Sequence, residues 1–113
     1  MGLDAVLYRV VRVGSSGRRS SYVPVQVVSD DDEVLLGLLA RVRGGGRTPL
    51  LDRLDPVRDA VVVPEQATQL LAELRCLVEV AKSERDTDRI RALAALTRRC
   101  LRERDAEIRF EGD

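Results

Sequence analysis

The sequence predicts an α+β fold: a small, mostly antiparallel sheet covered on one face by three helices, within one domain spanning residues 1–113. Three observations carry this expectation. Residues 64–83, PEQATQLLAELRCLVEVAKS, place Ala67, Leu70, Leu71, Leu74, Leu77, Val78 and Ala81 at three- and four-residue spacings, which stack along one helical face. Residues 3–13 and 22–29 are rich in β-branched side chains and flank a Gly- and Ser-containing stretch, the pattern of a β-hairpin. The predicted elements then run strand, strand, helix, irregular segment, strand, helix, helix, strand, an order that favours helices segregated to one side of a sheet.

In the first strand, LDAVLYRVVRV, the odd positions Leu3, Ala5, Leu7, Val11 and Val13 define one face, which Arg9 interrupts. Val6, Tyr8 and Val10 make the second face partly apolar, which suits a central strand. The loop 14–20, GSSGRRS, is basic and glycine-containing, and is read as a hairpin tip. In the second strand Val23, Val25 and Val27 alternate, and Pro24, which has no N–H for a ladder, points to a sheet edge or a bulge. Asp30 and Glu33 make a capping-box pattern for a helix with Val34, Leu35, Leu38, Leu39 and Val42 on its apolar face. Gly44, Gly45 and Gly46 end it near Arg43. The segment from Thr48 to Leu54 reads equally well as a short helical turn or as extended chain.

Asp55-Pro56 marks a turn, and residues 60–63 a short strand. Pro64 suits the first position of the central helix, where a missing N–H has no helical partner to lose. Seven buried apolar side chains at about 1.5–3 kcal/mol gross each give this helix a stronger drive to pack than any other element. A polar link over 83–86 forces an antiparallel partner from about Thr87 to Arg104, with Ile90, Leu93, Ala94, Thr97, Cys100 and Leu101 inward. Glu107 to Glu111 alternates as a last strand, with Ile108 and Phe110 inward.

Composition narrows the function. Nineteen basic and nineteen acidic residues cancel, so no global charge draws the chain to nucleic acid or membrane. There is no histidine, which removes the commonest general base and metal ligand. Cys76 and Cys100 lack metal-ligand spacing and fit small apolar residues in a reducing cytoplasm. The longest apolar run, 34–40, is far short of a membrane span, and no secretory signal opens the chain. A cytoplasmic protein without cofactor or metal is expected.

Each residue that could bear chemistry also has a plainer role. The acids 30–33 lack the ligand spacing of a cation loop and are explained by helix capping. Arg18 and Arg19 lie on a loop that leads into a strand rather than a helix, unlike a phosphate cradle, but they can meet an anionic partner. Arg91, Arg98 and Arg102, with Arg99 adjacent, form a candidate anion-binding row on the last helix. Interspersed acids and a total of three aromatics, Tyr8, Tyr22 and Phe110, argue against nucleic acid. Lys82 and Ser83 are chain neighbours that need not face each other. Asp52, Arg53, Asp55 and Arg58 could line a ligand or catalytic cleft, but acids in a charged turn more often serve its hydrogen bonds. Ala72, Cys76 and Val80 make a second apolar stripe on the central helix, for the Leu38 helix, the last helix, a partner or a second copy to cover.

The start Met-Gly-Leu-Asp at 1–4, the run Thr-Pro-Leu-Leu-Asp-Arg at 48–53 followed by Asp55-Pro56, and the end Phe-Glu-Gly-Asp at 110–113 resemble a group of small bacterial proteins of unassigned function. The resemblance implies a stand-alone cytoplasmic protein and carries no functional residue across. By elimination, the expected function is a non-catalytic protein-interaction module, an immunity-like or regulatory partner or a homodimer. Its candidate surfaces are Arg18 and Arg19, the Asp52–Arg58 segment, and the Ala72, Cys76 and Val80 stripe. A ligand cleft near Asp52–Arg58 and nucleic-acid binding through the last helix are the alternatives.

Overall fold

The computed structural model describes residues 2–14 and 19–112, without the side chains of Val13 and Arg19. Four strands, β1 (Leu3–Val13), β2 (Arg19–Val28), β3 (Ala60–Val62) and β4 (Ala106–Gly112), form one antiparallel sheet in the order β2-β1-β4-β3. Three helices, α1 (Val34–Val42), α2 (Pro64–Val80) and α3 (Glu84–Arg102), accompany it, with α2 and α3 packed together. The α+β architecture follows the hydrophobic pattern, and β1 takes a central place.

The register explains which side chains enter the core. Leu3, Ala5 and Leu7 of β1 lie opposite Gly112, Phe110 and Ile108 of β4, and Ala60 and Val62 of β3 continue the same rows. This inward face joins Leu35, Leu38 and Leu39 of α1, Leu70, Leu74 and Leu77 of α2, and Ile90, Leu93, Leu96 and Cys100 of α3 in one cluster. Gly112 passes so close to Pro56 that a Cβ there would overlap the proline carbonyl, and a Cβ at Gly2 would overlap the carbonyl of Asp30. Glycine is thus required at two positions at the same end of the β1–β4 ladder, by contact rather than by backbone angle.

Several local expectations are corrected. The clean alternation of Val23, Val25 and Val27 fails because the ladder shifts register between Leu7 and Tyr8, leaving Val25 without a direct partner beside Pro24. Val27 is consequently turned outward and 55% exposed, while Val25 packs partly on the core. Asp30 and Glu33 do not form a capping box. Glu33, the N-cap of α1, is left-handed (φ 59°) and makes no side-chain cap bond, while Asp30 itself reaches the Leu35 and Leu36 N–H groups. Thr48–Leu54 resolves as a 3₁₀ turn over Leu51–Arg53. α3 starts at Glu84, capped by the Ser83 hydroxyl, so the link is residues 81–83 rather than 83–86. Val78 is 57% exposed instead of buried, and Leu96 takes the inward place not assigned to it.

Candidate functional site

Among the described residues three acids are buried, and each joins separate elements. The Asp30 carboxylate accepts from Leu3 N–H at 3.0 Å, Leu35 N–H at 2.7 Å and Leu36 N–H at 3.3 Å, and from Arg89 Nη1 at 2.5 Å. It thereby ties the start of β1 and the start of α1 to α3. Arg89 also clasps Asp32: desolvation pushes that carboxyl up, but the Arg89 hydrogen bond and charge and the backbone N–H bonds together bring it below its ordinary value. Glu73, on α2, accepts from the Leu50 and Leu51 N–H groups at 3.0 and 2.9 Å and from Gln69 at 2.7 Å, so it caps the 3₁₀ turn from across the core. Asp86, at the start of α3, accepts from Lys82 N–H at 2.9 Å and from Arg41 of α1 at 2.8 Å. The Lys82 bond, followed by Arg41, pulls its carboxyl below the usual range. Sequence reading treats Asp30 as a cap within its own segment, puts Asp86 in a polar link, and gives Glu73 and Arg89 no role. Their signal was weak: an acid on an inward helical position, legible only once the facing backbone is known.

The residues marked as a possible cleft do not converge. Asp52 accepts from the Thr48 hydroxyl at 2.9 Å, and Asp55 from Val57 N–H at 2.9 Å. Both acids therefore serve their own turns. Arg53 instead borders a hollow of about 310 Å³ with Leu50, Leu54, Val62 and Gln66, which neither acid lines. Arg58 is exposed, its N–H donating to the Asp55 carbonyl. Arg18 and the tip of the basic loop lie outside the described residues, as does the side chain of Arg19. Ser83 is committed as the α3 cap beside an open, polar hollow of about 570 Å³.

The second stripe of α2 is divided. Ala72 is exposed, whereas Cys76 and Val80 line a hollow of about 260 Å³ with Arg41, Val42 and Gly45 from the end of α1 and the loop after it. The Leu38 helix is therefore the element nearest this stripe. Cys76 is half-buried rather than interior; Cys100 is fully buried, and burial, with Glu107 and Glu103 adding to it, pushes its thiol up to about 11. Such a thiol stays protonated at neutral pH and is a poor nucleophile.

On the outer face of the sheet, two of the three aromatics are engaged with each other's neighbours. The Arg109 guanidinium lies 4.1 Å from the Tyr22 ring centre and 5.3 Å from that of Tyr8. Glu107 pairs with Arg109 at 3.0 Å, and the Tyr8 hydroxyl donates to Glu111 at 2.8 Å, which raises the tyrosine pKa. Phe110 is buried. No aromatic is thus left as a bare stacking platform.

The arginines of α3 separate in the same way. Arg99 turns towards the sheet, donating to Gln26 at 2.9 Å and pairing with Glu103 at 3.3 Å, and Arg102 is exposed. Arg91 and Arg98 instead flank a groove along the seam of α2 and α3 with Arg75. Leu71, Leu74, Val78, Ile90 and Ala94 make its apolar lining, and its volume is about 260 Å³. Leu74 and Ile90 are buried at its base, and Val78 stands exposed on its wall. Among the described residues Arg75 and Arg98 form no ion pair, and Arg91 meets only Asp88, at 3.9 Å with both side chains largely in solvent. This combination of apolar lining and unpaired guanidinium groups is the best-defined candidate site of the described residues. Sequence periodicity obscured it by assigning Val78 inward, by taking Arg91 and Arg98 only as part of an anion-binding row, and by leaving Arg75 without a role.

No family model, curated protein or solved structure matches the chain. No helix of the described residues is long and apolar enough to cross a membrane.

Proposed function

We propose that this chain is a small protein-interaction module that acts by binding, as a regulatory or immunity-like partner does, through the seam of α2 and α3. The observation that carries the reading is the apolar groove lined by Leu71, Leu74, Val78, Ile90 and Ala94 with Arg75, Arg91 and Arg98 beside it. An exposed valine within such a groove gains by being covered, at about 25 cal/mol per Å² of apolar area removed from water. Arginine suits the margin of a protein interface because its stem buries apolar area and its fork pairs carboxylates in two-point fashion. The buried acids support a binding rather than a catalytic role, since Asp30, Glu73 and Asp86 are all occupied by backbone N–H groups.

The test places a photo-crosslinking side chain at Val78 and irradiates the native cell. A discrete adduct with one other protein, absent when the same group is placed at exposed Val57, is the expected result. No adduct at Val78, or the same adducts at both positions, overturns the reading.

A further inference from the structure

Resting on that reading of the seam, we infer that its partner is an acidic amphipathic helix, with aliphatic anchors on one face and carboxylates beside them. The shape argument comes from the spacing. Leu71, Arg75 and Val78 stand at four- and three-residue steps on α2, and Arg91, Ala94 and Arg98 at three- and four-residue steps on α3. Two antiparallel helices so lined leave a trough running along both axes, into which the anchor residues of a third helix can pack. At about 260 Å³ the trough falls below the roughly 300–1,000 Å³ typical of small-molecule clefts, and it admits a few side chains rather than a whole ligand.

Charge identifies the occupant. Three guanidinium groups border the trough; among the described residues Arg75 and Arg98 form no ion pair, and Asp88 meets Arg91 only loosely, at 3.9 Å in solvent. Carboxylates brought in beside aliphatic anchors would displace no ion pair at Arg75 or Arg98 and only the loose Asp88 contact at Arg91, and the pairs would form in partly desolvated surroundings, where charge-assisted hydrogen bonds are strongest. A second copy of this chain fits poorly. Two-fold packing of this face would set Arg75, Arg91 and Arg98 against their own kind, and like charges across an interface are repulsive. A nucleic acid could meet the arginines but would leave Leu71, Val78 and Ala94 uncovered.

The test is fluorescence anisotropy on the full chain with two labelled helical peptides of about 18 residues, sharing leucines at i, i+4, i+7 and i+11. One carries Glu at the flanking positions and the other Lys, and a DNA duplex of about 20 base pairs is the third probe. The acidic peptide is expected to bind at least about tenfold more tightly than the basic one, and to weaken as salt is raised. Arg75→Glu with Arg98→Glu should reverse the preference, and Val78→Asp should weaken the acidic peptide. Equal binding of the two peptides, binding of neither, a preference that survives the double reversal, or tighter binding of the duplex would each overturn the inference. A specific adduct at Val78 together with no acidic preference would fail the inference alone and leave the interaction reading standing.

Discussion

Two regions of this molecule use the same residue types to opposite ends. Where α1 meets the other elements, acids and arginines are matched: Asp30 with Arg89 and three N–H groups, and Asp86 with Arg41 and Lys82 N–H. Along the α2–α3 seam, about as rich in arginine, Arg75 and Arg98 have no ion-pair partner among the described residues. A charge taken out of water must be compensated on the spot, so the first set fixes how helices and strands meet. A charge left in water costs the fold little and stays available to something else.

The largest effect expected from breaking this contrast is at Asp30. Asp30→Ala leaves three N–H groups and the Arg89 guanidinium without their acceptor. It should lower the unfolding free energy by about 3–5 kcal/mol, read as a shift of the urea midpoint. Set against the roughly 5–15 kcal/mol typical of a domain, such a loss would bring a protein at the low end of that range close to its unfolding midpoint. A midpoint shift no larger than that of an average surface substitution would show that Asp30 is not a pin.

Acid should act on the matched region next. The Asp86 and Asp32 carboxyls both lie below the ordinary value of 3.8 when folded. The stability they contribute is therefore complete above that value and is lost as pH falls through their lower folded values. Urea midpoints should hold from pH 6 to about 5 and then decline towards pH 2, and Asp86→Asn should be less stable at pH 6 and show a shallower acid decline. An unchanged slope in the variant would remove Asp86 from the account.

The smallest effect belongs to the seam. Arg75→Glu combined with Arg98→Glu should move the unfolding free energy by no more than about 0.5 kcal/mol, as expected for surface positions without internal partners. A loss of several kcal/mol would mean that these arginines hold the fold and that the two regions do not differ in kind.

The sheet and helices were legible from periodicity because burying one face is the dominant force on each element. The sequence also placed Pro24 at an edge or a bulge, and both are present. Legibility ended where an outcome depended on neighbours distant in the chain. Asp30 looked like a local cap, yet its partners include Leu3 and Arg89, 27 and 59 residues away. Glu73 caps a turn 22 residues before it, which no helical spacing encodes. Val78 satisfied the inward period of α2 but falls at the seam's open margin, because α3 covers only part of that face. Arg99 and Arg98 are adjacent in sequence and face different elements, so a row counted in sequence became two surfaces in space.

The register shift beside Pro24 has a consequence for how this protein can be approached. β2 is the longer of the two outer strands, and an unbroken outer strand invites another chain to zip onto its backbone and go on growing into fibres. The extra residue at Val25 spoils the even spacing of N–H and C=O groups that such zipping needs. Main-chain pairing of another strand along this edge is thereby disfavoured.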